Sequence, residues 1–238
     1  MRILALETSA VTASAAVCED ETLLAQSFFN CGLTHSRTLM PMVEGMLSNS
    51  GMTLNDVDLI AVAAGPGSFT GLRIGVAAAK GLGWAAEKPC CGVSTLEGMA
   101  WNLSHVNGLI CCVMDARRNQ VYHALFRAEE GTLTRVREDC AISLDELFQR
   151  QKEEKTGYLL VGDGAVMCYN EAKARNLPVM LAPPHLRYQS GWGVARAALE
   201  RARQGQTVSA GELEAVYLRL SQAERERLAR LRQEQPRG

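Results

Sequence analysis

The strongest constraint on the fold of this 238-residue chain is an order of elements that is written twice. The first half opens with three strand-like runs, RILALE, TASAAVCE and TLLAQSFFN, the last two joined by a polar turn at Glu19–Glu21. A helix follows from about Ser36, with Leu39, Met42, Val43, Met46 and Leu47 spaced along one face and Gly51 placed to stop it. VDLIAVAAG is apolar enough for a central strand buried on both faces. Next come a glycine-rich turn, a helix of small residues, a short strand near PCCGVS, and a helix announced by Ser94 and Glu97 as a capping box. From Gly108 the order restarts with GLICCVMDA, QVYHALFRA and LTRVREDCAI as strands and SLDELFQRQ as a helix, capped by Ser143 and Glu146. Strand YLLVGDG, helix AVMCYNEAKARN, strand VMLA and helix GVARAALERARQG complete it. Three strands followed by alternating helices and strands, twice, predict an α/β protein of two similar lobes, each a mixed sheet with flanking helices, around a cleft.

The turn GPGSFTGLRIG admits two readings. Gly65 and Gly67 allow angles closed to other residues, Ser68 and Thr70 are suitable N-caps, and the free amides of the next helix, with Arg73 one turn in, suit an anion. The other reading is a tight connection with no ligand. The turn lacks the GK[ST] ending of a phosphate-binding P-loop and the third glycine of a dinucleotide fingerprint. In the helix itself Gly71, Gly75, Ala79 and Gly83 recur every fourth residue, and interior glycine costs about 1 kcal/mol relative to alanine. The stripe therefore serves a close approach, by this chain or by another. With Met40, Met42 and Met46 on the preceding helix it forms a candidate interface.

Several classes are disfavoured. The N-terminal apolar run is short and broken by Glu7, so neither a signal peptide nor a membrane span is expected, and the cytoplasm is the expected location. The eight cysteines show no CxxC spacing and are read as buried thiols. The histidines, His35, His105, His123 and His185, form no helical pair that could grip a metal, so no intrinsic metal is expected. A formal net charge of −1 gives no basic footprint, so any RNA contact is expected to be shared with a partner. Ser68 is the one tempting nucleophile, but it lacks the GxSxG setting and reads as a helix cap. Trp84, Trp101 and Trp192 are read as packing residues, and the tail QAERERLARLRQEQPRG as a solvated amphipathic helix.

The doubled order resembles the actin, sugar-kinase and Hsp70 ATPase superfamily (ASKHA), which expects a first lobe over 1–106, a second over 107–212 and a segment 213–238 returning to the first. ILALETSAVTASAAV, THSRTLMPMVEGML, AVAAGPGSFTGLRIGVAAAKGLGWA, MDARRNQVY and AVYLRLSQAERE resemble, in that order, the bacterial TsaB (YeaZ) family of tRNA threonylcarbamoyladenosine biosynthesis. That resemblance implies a subunit without its own catalytic site. It would pair with the transferase TsaD, which carries the metal and modifies N6 of the adenosine beside the anticodon. The ATPase TsaE would join the pair, and TsaC would supply threonylcarbamoyl-adenylate. No cofactor intrinsic to this chain is implied, with ATP or ADP and a metal expected in the partner complex, and the chain alone is a possible homodimer.

The resemblance also implies contact through the first two helices, by His35, Leu39, Met42, Val43 and Met46 on one and Gly71, Ile74, Gly75, Ala78, Ala79 and Leu82 on the other. On that reading a large residue at Gly75 or Ala79 blocks pairing and leaves the monomer folded. The competing reading is a stand-alone nucleotide-dependent enzyme or protease working in its own cleft, with Thr8, Ser9, Gly67, Ser68, Thr70, Arg73, Asp115 and Arg118 as nucleotide or anion contacts. Against it, Ala10 and Ala116 stand where phosphate-binding turns of the superfamily have glycine, and Leu39 stands where a metal-binding HxxxH beginning at His35 would need its second histidine.

Overall fold

The structure, a computed structural model, describes residues 1–154 and 156–219. Strands β1 (Arg2–Glu7), β2 (Ala13–Glu19) and β3 (Thr22–Phe29) lead into helix α1 (His35–Asn49), then β4 (Leu59–Gly65), α2 (Phe69–Ala85), β5 (Cys90–Ser94) and α3 (Thr95–Trp101). The second run has β6 (Gly108–Asp115), β7 (Gln120–Glu129), β8 (Thr132–Ser143), α4 (Leu144–Glu154), β9 (Tyr158–Val161), α5 (Ala165–Ala174), β10 (Val179–Leu181) and α6 (Gly191–Arg203).

The two five-stranded sheets have the same topology. One is ordered β3-β2-β1-β4-β5 and the other β8-β7-β6-β9-β10. In each, the first three strands form an antiparallel meander and the last two join in parallel: β1 with β4 and β4 with β5, β6 with β9 and β9 with β10. Two mixed sheets with flanking helices in the ASKHA order are the expected fold class.

The central strands are apolar throughout because helices cover both of their faces. Leu4, Leu6, Ile60 and Val62 pack with Leu39, Val43 and Val76 of α1 and α2. On the opposite face Ile3, Ala5, Ala61 and Ala63 meet Trp101 of α3 and Val194, Ala197 and Ala198 of α6. Small residues on α6 allow a close seat: a Cβ on Gly191 would stand 2.7 Å from the Ala16 nitrogen, and one on Gly193 would overlap the Gly98 carbonyl oxygen.

The chain thus returns to the first sheet well before residue 213. Helix α6 already covers that sheet, Val208 makes an antiparallel bridge with Cys90, and the Val216 N–H donates to the Ala64 carbonyl at 2.7 Å. The physical reason is coverage, since without α6 one apolar face of β1, β2 and β4 would meet water. Both proposed capping boxes are half formed. Ser94 and Ser143 accept from the N–H groups of Glu97 and Glu146, but those carboxylates turn to Arg135 and Arg150. Arg135 also pairs with Asp139 and lies 4.6 Å from the centre of the Phe126 ring, tying α3 to the second sheet.

Of the three tryptophans, Trp101 is buried, whereas Trp84 is 73% exposed and is not a packing residue. All eight cysteines are free; Cys31 is exposed and Cys140 half-buried, the other six buried. Among the described residues no helix is long and apolar enough to cross a membrane. The charged tail, residues 222–238, lies outside the described residues.

Candidate functional site

Two places attract the candidate residues: the cleft between the lobes and the outer face of α1 and α2. The cleft is a cavity of about 420 Å3, walled on one side by Ser9, Ala10, Gly67 and Ser68 and on the other by Asp115, Ala116, Arg117 and Asp163. The end of β1 shapes its floor. Glu7 is 1% exposed, and one carboxylate oxygen accepts the Ser9 N–H at 2.5 Å. The Thr8 hydroxyl donates to the Gly71 carbonyl at 2.8 Å, and the Ser68 N–H donates to the Ser9 carbonyl at 2.7 Å.

The glycine turn is therefore tied to the Thr8–Ser9 turn by this chain's own hydrogen bonds. A Cβ on Gly67 would stand 2.5 Å from the Ser9 carbonyl oxygen, so the room that glycine frees there is filled by backbone. Ser68 does cap α2, accepting the Gly71 N–H. At Gly67 and at the Thr8 hydroxyl the space and hydrogen-bonding capacity are taken up by this chain's own Ser9 and Gly71. Ser9 lines the cavity, and its buried hydroxyl has no hydrogen-bond partner among the described residues.

The remaining anion candidates scatter. Thr70 is exposed on α2 away from the cavity, and Arg73 donates through Nε to the Tyr217 hydroxyl at 3.3 Å. Asp115 lines the cavity while accepting the Arg117 N–H at 2.7 Å. Arg118 is exposed at the hairpin tip, and its neighbour Arg117 is the one that faces the cleft. A run of left-handed residues, Arg117, Arg118 and Asn119, at φ +61°, +56° and +57°, turns the chain there and sets which guanidinium points inward. Sequence reasoning missed Asp163, Tyr122 and Arg219, which also line the cavity. Only their place in the fold marks them. Among the described residues no group of three or more His, Cys, Asp or Glu side chains is placed to hold a metal.

Burial pushes the Glu7 carboxyl up to about 7 from 4.5, opposed by the hydrogen bond it accepts from the Ser9 N–H and reinforced by nearby Asp163. Burial likewise raises Asp163, whose carboxylate accepts from Gln189. Between pH 4.5 and about 7 the folded chain keeps a proton on Glu7 that the unfolded chain has released, so stability falls as pH rises through that window. Between pH 5 and 8 the loss should be about 2 kcal/mol. Glu7→Gln still accepts the Ser9 N–H and should flatten that slope. Urea denaturation midpoints across the pH range would show it, and an unchanged slope in Glu7→Gln would assign the titration elsewhere.

The outer face corrects the candidate interface. Leu39, Val43, Met46 and Ala79 belong to the core beneath α1 and α2, Met42 is buried on the side of α1 that meets β3, and Gly71 and Gly75 are buried as well. Leu39, Val43, Gly71, Gly75 and Ala79 face the sheet and are covered while the chain is folded, whereas Met42 and Met46 also line a groove between α1 and β3. A Cβ on Gly71 would overlap the Thr8 carbonyl oxygen, and one on Gly75 would stand 2.5 Å from the Thr8 hydroxyl. The close approach that the small residues serve is intramolecular.

His35 is half-buried, its Nε2 2.7 Å from the Ala10 carbonyl, and Ile74, Ala78 and Leu82 are half-buried along the flank of α2. The face turned to solvent is a different one. It carries Ala77, Gly81, Trp84 and Ala85 on α2, with Met40 and Pro41 on α1. Met40 is 43% exposed, and Leu33 before α1 58%.

The fold resembles solved structures of modest sequence identity. YeaZ from Pseudomonas aeruginosa superposes with a TM-score of 0.74 at 24% identity, covering 91% of this chain and 99% of that one. The family model described as TsaD, tRNA N6-adenosine threonylcarbamoyltransferase, matches residues 31–180. The tRNA threonylcarbamoyladenosine biosynthesis protein TsaB of Bacillus subtilis is 39% identical over 162 residues, 68% of this chain and 71% of that protein. TsaB of Escherichia coli is 33% identical over 222 residues, 92% of this chain and 95% of that protein. Similarity running along nearly the whole length of a TsaB protein, on a fold whose two lobes repeat one topology, decides between the two descriptions: the chain belongs to the TsaB (YeaZ) family.

Proposed function

We propose that this chain is a noncatalytic subunit that pairs with TsaD in the N6-threonylcarbamoylation of adenosine beside the anticodon of tRNA. Membership of the TsaB family supports the pathway. The observation that carries the pairing is the solvent face of α2, where Trp84 stands 73% exposed beside Ala77, Gly81 and Ala85. Small residues let a second helix approach closely, and an exposed tryptophan next to them supplies the large contact area of an interface anchor.

The cleft supports the noncatalytic part of the reading. The Thr8 and Ser9 backbone fills the glycine turn, and Glu7 is occupied with its own loop. ATP or ADP and a metal would be supplied on the partner's side of the complex. TsaE would join the assembled pair and TsaC would furnish the activated threonylcarbamoyl group, with tRNA reached through the complex, in the cytoplasm. In the partner's absence the same face would pair two copies of this chain.

Light-scattering mass of the chain alone and mixed with TsaD from the same source, followed by threonylcarbamoyl transfer to unmodified tRNA, tests this. A mixed complex with activity only in the mixture is expected. Transfer or ATP turnover by this chain alone would return the cleft to the position of an active site.

A further inference from the structure

We propose that Val216–Arg219 is a latch across the cleft that holds the two lobes together and whose release lets them open. The inference stands apart from the pairing proposed above. Four consecutive residues carry the chain from one lobe to the other. The Val216 N–H donates to the Ala64 carbonyl at the end of β4, at 2.7 Å. Gly65 beside it has φ +141°, and a Cβ there would overlap the Val216 carbonyl oxygen, so this seat is cut for the backbone of the segment. Tyr217 stacks on Phe69 with ring centres 4.5 Å apart and planes 6° from parallel, and its hydroxyl accepts from Arg73 at 3.3 Å.

The next two residues belong to the second lobe. Leu218 packs against the cluster that contains Met114 and Tyr122. Arg219 donates through Nη1 to the carbonyl of Ala116, and its side chain lines the cleft together with Phe69. Other charged ties between the lobes among the described residues, Arg135 with Glu97 of α3 and the Ser94 hydroxyl donating to Asp139, involve none of the latch residues. The latch thus has its own contacts at both ends: a stack and a backbone bond on one lobe, an apolar seat and a charge-assisted bond on the other. A segment held by so few contacts opens locally at far less cost than a sheet. Because Leu96, Met99 and Ala100 of α3 stay seated in the core of the second lobe, release of the latch opens the cleft about α3 without unfolding either lobe.

Hydrogen exchange on the full chain tests the latch through three bonded amides: Ser68 on Ser9, Ala116 on Gln120, and Val216 on Ala64. In Tyr217→Ala and in Arg219→Ala these amides should exchange about tenfold faster, while those of β1 and β6 keep the parent's rates. Small-angle scattering should show a larger radius of gyration in both variants. Tyr217→Phe, which keeps the stack, and Glu214→Ala, an exposed neighbour in the segment, should behave as the parent. Unchanged protection of the three amides in both alanine variants would overturn the proposal. So would acceleration spread equally over β1 and β6, because the segment would then be ordinary core rather than a separable fastening.

Discussion

Leucine at Gly71 is expected to leave the chain unfolded, or less stable by about 3 kcal/mol or more in urea denaturation, before any partner is considered. The Cβ alone would overlap the Thr8 carbonyl oxygen, a backbone atom at the end of β1 that cannot swing aside. The rest of the side chain would lift α2 from the sheet. The Thr8 hydroxyl would lose its bond to the Gly71 carbonyl, and Val76 and Ala79 would come away from the core they share with Leu6 and Val62. Gly75 repeats the constraint one turn on, with 2.5 Å to the Thr8 hydroxyl and 3.2 Å to Val62. At Gly83 the neighbour is the Cys90 sulfur, at 2.5 Å. Gly81 is the internal control. A Cβ there has nothing within 4 Å, so Gly81→Ala should stabilise the helix by about 1 kcal/mol. A Gly71→Leu chain with an unchanged midpoint would mean that α2 is not seated on Thr8.

The same residues show what was legible in the sequence. Apolar runs and spacing, capping serines and the glycine turn together placed the helices and strands of the two lobes, because each of these is a local pattern. The doubled order then narrowed the fold to two similar mixed-sheet lobes, and the strand order within each came from the structure. The stripe Gly71, Gly75, Ala79 and Gly83 announced a close approach just as plainly. What the pattern could not say is which side of the helix faces home. In α2 both sides are made of small residues, Gly75 and Ala79 within and Ala77 and Gly81 without, so composition does not separate core from surface. Trp84 fails for a related reason: a lone aromatic near a helix end reads as core, and only the backbone direction shows it pointing into solvent. Asp163, Arg117 and Arg219 reach the cleft from three separate segments, and no spacing in the chain connects them.

Trp84→Ala and Gly81→Arg should each weaken binding to TsaD by about a hundredfold or more while leaving the free chain's unfolding midpoint at or above the parent's value, within about 0.5 kcal/mol for the tryptophan. Exposure makes the separation of effects possible. Truncating a side chain that is 73% exposed removes little from the core, and an arginine at Gly81 meets open space. In a helix-to-helix contact the arginine would hold the partner's backbone off at the one position bare of side chain, and loss of Trp84 would remove the largest apolar anchor on that face. Isothermal calorimetry of each variant against TsaD, paired with urea denaturation of the variant alone, reads both quantities. Substitutions at buried Met42 or Gly75 cannot make this distinction, since they change the fold and the surface together. If both variants bind as the parent does, the solvent face of α2 is not the contact. The pairing would then have to be sought at another exposed apolar surface of the first lobe, such as β3, the edge strand among the described residues, where Phe28 and Phe29 are 41% and 43% exposed.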